Sequence, residues 1–326
     1  MFQVPDINLT RRTVLGSLAV TAAATAAKRE RPKEWKPKLG ILGSYTESNV
    51  AFARAEGFTN MILGGTQGST LDASKITDEQ VEAVRAVLKR EQMHVSAFQV
   101  TQNHIDGDPE RRKRDNAYFV KAIELAGKLG VPYIGTASGK DATKSFKAQV
   151  DEIVRVYTEE YFPACEKNHV RILWEPWPGG PNIGTSPVGY DALFTGFGNS
   201  PYVGLQYDPS HLVWQMMDPI QCAREFVDKI YDVHLKDTRI HWDVLRRCGV
   251  NPVNNADWWQ FRLPGLGSIN WAEFFGVLQG AGYQGAMSVE HEDELYGGSD
   301  PGPNFSEDYK TGFKMAHRYL RQYIPD

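Results

Sequence analysis

Four apolar runs of this chain each carry, at or near their end, a side chain that can hold a metal ion or move a proton. "RILWEPW" (171–177) contains Glu175, "YVGLQYD" (202–208) ends on Asp208, "IYDVHLKD" (230–237) contains His234, and "GAMSVEHE" (285–292) contains Glu290. These residues are 33, 26 and 56 positions apart along the chain. Three carboxylates that meet in a buried place repel one another unless a cation holds them, so we expect a divalent metal ion.

Each of the four residues also has an ordinary structural explanation. A glutamate at the end of a strand is usually a surface or capping residue, and a histidine such as His234 is more often hydrogen-bonded in a core. Asp208 precedes a proline and is suited to open a turn. Four such residues in consecutive strands favour a metal centre over four independent coincidences. Because side chains alternate along a strand, Trp177 shares a face with Glu175, and Lys236 shares one with His234.

The segments that must position these residues alternate between short apolar runs and longer amphipathic stretches. The predicted strands lie at 38–45, 58–65, 94–100, 131–137, 171–177, 202–208, 230–237 and 285–292. The predicted helical segments lie at 46–56, 77–92, 109–129, 143–168, 187–198, 218–228, 270–281 and 305–323. Strict alternation of strand and helix predicts parallel strands that are joined by right-handed crossovers.

Eight such units predict an α/β fold in the form of a single-domain (β/α)8 TIM barrel. An open, doubly wound sheet is the alternative, but the first strand continues into "GILGSYTES", which contains no G-x-G-x-x-G phosphate turn. Catalytic groups of these barrels come from the C-terminal ends of the strands. The barrel therefore places the four candidate residues on one rim.

The donor set indicates both the metal and the chemistry. Oxygen ligands with one imidazole suit Mn²⁺ first, with Mg²⁺, Co²⁺ or Zn²⁺ as the other candidates. Such an ion can bind a substrate carbonyl and its neighbouring hydroxyl, which acidifies the C–H bond between them and stabilises an enediolate. Glu175 and Glu290 are then predicted to act as base and acid. Proton return to the same carbon gives an epimer, return to the next carbon gives an isomer, and loss of a group beta to the carbanion makes the enzyme a lyase.

The motifs "ILWEPW", "LQYDPSHL", "VHLKDTR" and "MSVEHE" resemble those of the xylose isomerase-like TIM barrels, the sugar phosphate isomerase/epimerase superfamily, over roughly residues 38–323. The resemblance implies a set of metal ligands, namely Glu175, Asp208, His234 and Glu290. It also implies that His211 of the D-x-x-H motif approaches a substrate oxygen, and that Arg239 binds substrate shortly after the metal histidine. The activity it implies is that of a metal-dependent isomerase or epimerase acting on a keto-sugar or sugar derivative.

"VHLKD" also resembles the inosose dehydratases and related keto-sugar lyases of the superfamily. This resemblance implies that Lys236 binds or protonates a substrate oxygen, whereas a structural salt bridge with Asp237 or another nearby acid is the alternative. His104, after the third strand, and Trp177 complete the predicted substrate-binding residues. An aromatic-rich insertion at about 239–266 is predicted either to cover the barrel mouth as a carbohydrate lid or to pack against the barrel.

The composition narrows the range of partners. A net charge of −4 provides no general basic character for nucleic acid, so we expect a small-molecule carbohydrate as the partner. A DNA repair endonuclease on this fold would also need further histidines on the early strands. A non-catalytic periplasmic sugar-binding protein is the remaining alternative, and the two candidate glutamate bases argue against it. A homo-oligomer stays open, because members of the superfamily form monomers, dimers and tetramers.

The first 27 residues are predicted to be a twin-arginine-type signal peptide, and hence to direct the protein to the periplasm. Arg11 and Arg12 precede an uncharged stretch at 13–27 that ends in alanines. The stretch is short for a membrane span, so we expect no stable membrane insertion after cleavage. Residues 28–37 are predicted to be a linker, and residues 38–326 the catalytic domain.

Overall fold

Eight parallel strands close into a barrel in the computed structural model, which describes residues 34–298 and 302–325. The barrel strands are β1 (Lys38–Gly43), β2 (Asn60–Gly64), β3 (His94–Gln99), β4 (Tyr133–Thr136), β5 (Arg171–Trp174), β6 (Val203–Tyr207), β7 (Ile230–Leu235) and β10 (Ala286–Val289). Their order around the barrel is β1–β10–β7–β6–β5–β4–β3–β2. Each coincides with a predicted strand, so the predicted (β/α)8 TIM barrel is confirmed.

The helices that connect the strands surround the barrel. They are α1 (Glu47–Ala55), α2 (Asp78–Arg90), α3 (Pro109–Leu129), α4 (Phe146–Val156), α5 (Phe162–Asn168), α6 (Pro187–Gly196), α8 (Pro219–Phe226), α10 (Trp271–Gly280) and α11 (Glu307–Leu320). A π-helical turn at Tyr157–Tyr161 joins α4 to α5, so the segment predicted at 143–168 is nearly continuous. Helix α2 begins with a capping box, in which Thr77 and Gln80 satisfy each other's backbone N–H groups. Apolar side chains of the helices and strands pack into one core.

A short helix that the sequence analysis did not predict begins directly after β6. This helix, α7 (Pro209–Trp214), has Asp208 as its N-cap, and Asp208 Oδ1 accepts a hydrogen bond of 2.8 Å from the backbone N–H of Ser210. Its six residues are too few to show a helical period in the sequence. The cap uses one carboxylate oxygen of Asp208 and directs the other toward the barrel mouth.

The predicted insertion contains a hairpin of its own. Strand β8 (Asp237–Ile240) pairs antiparallel with β9 (Trp259–Arg262), and helix α9 (Trp242–Cys248) lies between them. Asp237 anchors the hairpin, because its carboxylate accepts hydrogen bonds from the backbone N–H groups of Gly265 and Ile269 and from the indole N–H of Trp271. The carboxylate of Asp237 therefore stabilises the segment that follows the hairpin.

The predictions for the N-terminus have no structural counterpart in the described range. The signal peptide at 1–27 and most of the linker at 28–37 lie outside the described residues, and both stay predictions. Within residues 34–298 and 302–325, no helix has the length and apolar character that crossing a bilayer requires.

Candidate metal centre

The C-terminal ends of three barrel strands and the helix α7 bring four metal-binding side chains together. Glu175 directly follows β5, Asp208 follows β6, and Glu290 follows β10, while His211 lies within α7. One ligand atom from each residue lies within 4.8 Å of those of the other three. The barrel ends thus form the buried acidic group that the sequence predicts.

His234 points inward from β7 and belongs to the same group. Its Nδ1 lies 2.9 Å from Glu290 Oε2 and 3.1 Å from Glu175 Oε1. Its Nε2 is buried and has no hydrogen-bond partner among the described residues. The structure therefore gathers the predicted ligands at one place and adds His211 as a second imidazole, although the four residues whose ligand atoms lie within 4.8 Å of one another include His211 and not His234.

Lys236 supplies a positive charge within this group. Its Nζ lies 2.7 Å from Glu290 Oε2, 2.8 Å from Glu292 Oε2 and 3.2 Å from Asp208 Oδ2, and the residue is only 1% exposed. The salt bridge that the sequence left open is thus present, but it joins these three acids and not Asp237. The role of Lys236 at a substrate oxygen stays a prediction.

The positive charges of His234 and Lys236, with a hydrogen bond from His211 to Glu175, favour the ionised form of the two candidate acid–base residues. Burial raises the pKa of Glu175, but His234, His211 and Lys236 together hold that pKa well below its ordinary value. Burial likewise raises the pKa of Glu290, and Lys236 and His234 lower it to about 2 against the repulsion of Glu175. Burial lowers the pKa of His234, but the carboxylates of Glu290 and Glu175 outweigh it and raise that pKa well above its ordinary value. A base must be ionised to accept a proton, and both glutamates meet this requirement.

Gln99 holds the second oxygen of Glu175. Its Nε2 donates a hydrogen bond of 2.9 Å to Glu175 Oε2, and Asn182 Nδ2 donates one of 2.7 Å to the backbone carbonyl of Glu175. The bond from Gln99 orients the carboxylate and leaves Oε1 facing His211 and His234, while the bond from Asn182 holds the backbone of Glu175. Gln99 was not among the predicted site residues, because the metal ligands were predicted only from the ends of strands five to eight. Gln99 is the last residue of β3, so the same examination of the early strands would have found it.

The structure does not bring three of the predicted substrate-binding residues into this group. His104 is fully buried behind β4, where its ring nitrogens bond to Tyr161 Oη and Thr136 Oγ1 at 2.9 Å each, so in this arrangement it is a packing residue. Arg239 is exposed on β8, and Trp177 is 37% exposed in the loop after β5. Both lie on the mouth side of the barrel, and their binding roles stay predictions.

The donor set fits a divalent metal ion. Asp208 Oδ2 is buried and accepts no hydrogen bond from any described residue, although Lys236 Nζ lies 3.2 Å away. Opposite ligands of an octahedral Mg²⁺ site lie about 4.2 Å apart, because each bond is about 2.1 Å long. The 4.8 Å spread of the quartet therefore needs only a small contraction to hold such an ion. Glu175, Asp208, Glu290 and one imidazole are the residues that would hold it.

We expect His234, more than His211, to be the imidazole ligand. His234 Nδ1 lies between two carboxylates, whereas His211 Nε2 lies 3.4 Å from its acidic neighbours. His234→Ala should weaken Mn²⁺ binding by about 100-fold or more, since even outer partners of a metal site contribute 10- to 100-fold. His211→Ala should weaken it by less than about tenfold, the lower limit of that range. Calorimetric titration of both folded variants measures this, and the reverse order would make His211 the ligand.

Comparisons with known proteins agree with this architecture. The sequence profile of the family described as "Xylose isomerase-like TIM barrel" matches residues 50–322. The crystal structure of a D-psicose 3-epimerase, determined in the presence of D-fructose, has a TM-score of 0.66 at 14% identity and covers 89% of this chain and 100% of that one. At this identity the likeness concerns the fold alone.

Two curated relatives match shorter segments. The uncharacterized protein YfiH of Bacillus subtilis (strain 168) is 41% identical over 102 residues, which are 28% of this chain and 32% of YfiH. An inosose dehydratase of Geobacillus thermodenitrificans (strain NG80-2) is 30% identical over 121 residues, which are 37% of this chain and 38% of that enzyme. The chain thus spans about a third of the length of the curated relatives it matches. Because the family profile covers most of the chain, the protein belongs to the xylose isomerase-like TIM barrel family.

Proposed function

We propose that this protein is a divalent-metal-dependent sugar isomerase or epimerase that removes a proton from the carbon next to a carbonyl group. The observation that carries the proposal is the placement of two ionised glutamates about one centre. Glu175 and Glu290 follow strands that lie three positions apart around the barrel, and both contact the same nitrogen of His234. Two bases on different sides of one point can remove a proton from one face of a carbon and return it to the other.

The bound metal would polarise the substrate carbonyl and its neighbouring hydroxyl, which lowers the pKa of the C–H group between them. Mn²⁺ is our first choice, because three carboxylates and one imidazole suit it, and Mg²⁺, Co²⁺ and Zn²⁺ are the alternatives. Glu175 is oriented by Gln99 and serves as one of the acid–base pair, with Glu290 as the other. His211 and Lys236 are close enough to the two glutamates to donate hydrogen bonds to substrate oxygens.

We propose a keto-sugar or a related sugar derivative as the substrate. Aromatic side chains next to the group support this choice, because the flat faces of aromatic rings pack on the C–H surfaces of sugars. Phe261 lies edge-on to His211, with 5.4 Å between the ring centroids, and Trp214 stacks on Trp259 at 4.6 Å. The insertion therefore supplies aromatic groups to the mouth of the barrel.

The test of this function is an NMR screen in D₂O with Mn²⁺ across keto-sugars, inososes and oxidised glycosides. An isomerase or epimerase should exchange one substrate C–H for deuterium and produce a second sugar. The chelated, metal-free protein serves as the matched control. If no compound of these classes shows metal-dependent exchange or conversion, the proposed chemistry is wrong.

A keto-sugar dehydratase is the second candidate, and the position of Lys236 favours it. Dehydration needs an acid that protonates the departing hydroxyl group. Lys236 is a buried ammonium 2.7 Å from Glu290 Oε2, beside one of the two proposed bases. The resemblance to inosose dehydratases over part of the chain supports the same possibility. The screen separates the two candidates, because a dehydratase yields an unsaturated product and water instead of an epimer.

A further inference from the structure

An aromatic cluster joins the inserted hairpin to the metal centre. Trp214, the last residue of α7, stacks face to face on Trp259 of β9, with 4.6 Å between centroids and 6° between planes. Phe261, two residues further along β9, lies edge-on to His211, with 5.4 Å between centroids and 89° between planes. The hairpin thus touches His211 directly through Phe261 and indirectly through Trp214.

Trp214 donates a hydrogen bond to one ring nitrogen of His211. Its indole Nε1 lies 3.4 Å from His211 Nδ1. An indole N–H can only donate, so Nδ1 must be the acceptor nitrogen of a neutral imidazole. The proton of neutral His211 then resides on Nε2.

The surroundings of Nε2 favour the same tautomer. Glu175 Oε1 and Asp208 Oδ2 each lie 3.4 Å from His211 Nε2, and both are acceptors. Lys236 Nζ also lies 3.4 Å from this nitrogen, but it donates hydrogen bonds of 2.7 and 2.8 Å to Glu290 and Glu292 and lies nearer, at 3.2 Å, to the carboxylate of Asp208. Lys236 therefore does not need Nε2 as an acceptor.

We propose that Trp214 is a positioning residue that fixes His211 as its Nε2–H tautomer, and that the inserted hairpin holds Trp214 in place through Trp259. His211 is thereby a hydrogen-bond donor toward the centre of the site. Helix α7 has only six residues and Trp214 is half-buried at its end, so the stack on Trp259 is the contact that fixes the indole ring. The insertion is then part of the machinery that orients the site, in addition to any covering role. This inference depends on neither the substrate nor the bound metal.

The test is the tautomer of His211 in the full-length, metal-free protein, measured by long-range ¹H–¹⁵N NMR of the imidazole rings. The His211 signals are assigned by their loss in His211→Asn. The wild type should show an acceptor-type Nδ1 and a protonated Nε2. Trp214→Phe keeps an aromatic ring on Trp259 but removes the N–H donor, so it should shift His211 toward the Nδ1–H tautomer. Trp259→Ala keeps the donor but removes the stack, and it should shift the same signals in the same direction.

Trp242→Phe is the matched control, because Trp242 belongs to the same insertion and is 48% exposed. It should leave the His211 signals unchanged. Thermal melting shows whether each variant is folded. An unchanged His211 tautomer in folded Trp214→Phe would overturn the proposal, and an unchanged tautomer in Trp259→Ala would remove the role of the hairpin.

With an active substrate in hand, a second readout follows. Trp214→Phe should lower kcat by up to about tenfold, the range that one neutral hydrogen bond supports, with little change in Mn²⁺ affinity. A loss of Mn²⁺ affinity as large as that of kcat would mean that Trp214 supports the metal site as a whole, and this would also overturn the proposal.

Discussion

Replacement of Glu175 or Glu290 by glutamine is expected to lower turnover by roughly 10²-fold or more, the range for losing a positioned general acid or base. Glutamine keeps an oxygen that can touch a metal, but it cannot accept a proton at neutral pH. Both side chains lie against His234 Nδ1, and each substitution leaves the other carboxylate, Asp208 and an imidazole in place. Each variant should therefore keep part of its metal while it loses turnover.

The two variants should differ in isotope exchange. In an epimerase, one glutamate removes the proton and the other returns it. One variant can then still exchange the substrate C–H with deuterium while it forms no epimer. In a dehydratase, the variant that lacks the base should lose exchange and elimination together, and the other variant should keep part of both. The exchange pattern therefore assigns the base as well as testing it.

Glu294→Gln is the matched control, because Glu294 is an exposed carboxylate four residues after Glu290. Its turnover should equal that of the wild type. Turnover, metal content by elemental analysis and melting temperature are measured for all three variants. Near-normal turnover of Glu175→Gln and Glu290→Gln with metal bound would exclude the two-glutamate mechanism and leave Lys236 or His211 as the base to examine.

The parts of the site that follow from the sequence are those that sit on the barrel strands. In a barrel of this kind, the C-terminal ends of the strands form one face regardless of the loop conformations. A carboxylate at the end of an apolar run, such as Glu175 or Asp208, is therefore predicted to lie at the mouth. The alternation of side chains adds the direction, which is why His234 and Lys236 share an inward face. The fold itself follows from the same regularity, because eight alternating units leave few alternatives.

The contacts that could not be predicted come from segments without such regularity. His104 follows β3, which is a position typical of a mouth residue, but the loop turns it behind β4 among the rings of Phe119, Tyr157 and Tyr161. The partners of Lys236 could not be chosen in advance, because Asp237 is its nearest acid in sequence and yet anchors the hairpin. The stack of Trp214 on Trp259 joins residues 45 positions apart, and it depends on a hairpin register that no local pattern indicates.

Replacement of Lys236 by methionine is expected to lower the free energy of unfolding of the metal-free protein. Lys236→Met keeps a side chain of similar length but leaves Asp208, Glu290 and Glu292 without their shared ammonium. Removing one partner of a buried ion pair typically costs about 3 to 5 kcal/mol, because the remaining charge stays buried. We expect a loss of free energy of unfolding of about 3 kcal/mol in the metal-free variant, the lower end of this range because Glu292 is partly exposed.

A divalent metal ion should reverse much of that loss. The metal ion and Lys236 would neutralise the same oxygens, Asp208 Oδ2 and Glu290 Oε2. Removal of the ammonium leaves the negative charge of these oxygens uncompensated, so they should bind a cation more tightly. A ligand that binds only the folded state stabilises it by an amount that grows with the logarithm of its concentration over its dissociation constant, so tighter binding raises stability more. Mn²⁺ should therefore add more free energy of unfolding to Lys236→Met than to the wild type. Urea unfolding in EDTA and at a fixed free Mn²⁺ concentration measures both values.

Lys147→Met provides the comparison for loss of an ordinary ion pair, because Lys147 pairs with Asp151 on an exposed helix face. That substitution should change the free energy of unfolding by less than about 1 kcal/mol, with or without Mn²⁺. If metal-free Lys236→Met is as stable as the wild type, its ammonium is not the cation that holds these carboxylates together. If Mn²⁺ instead stabilises the variant less than the wild type, Lys236 assists metal binding and does not compete with it. If Lys236→Met loses much of its free energy of unfolding in EDTA and Mn²⁺ restores it, then either the lysine or the metal ion can neutralise these carboxylates.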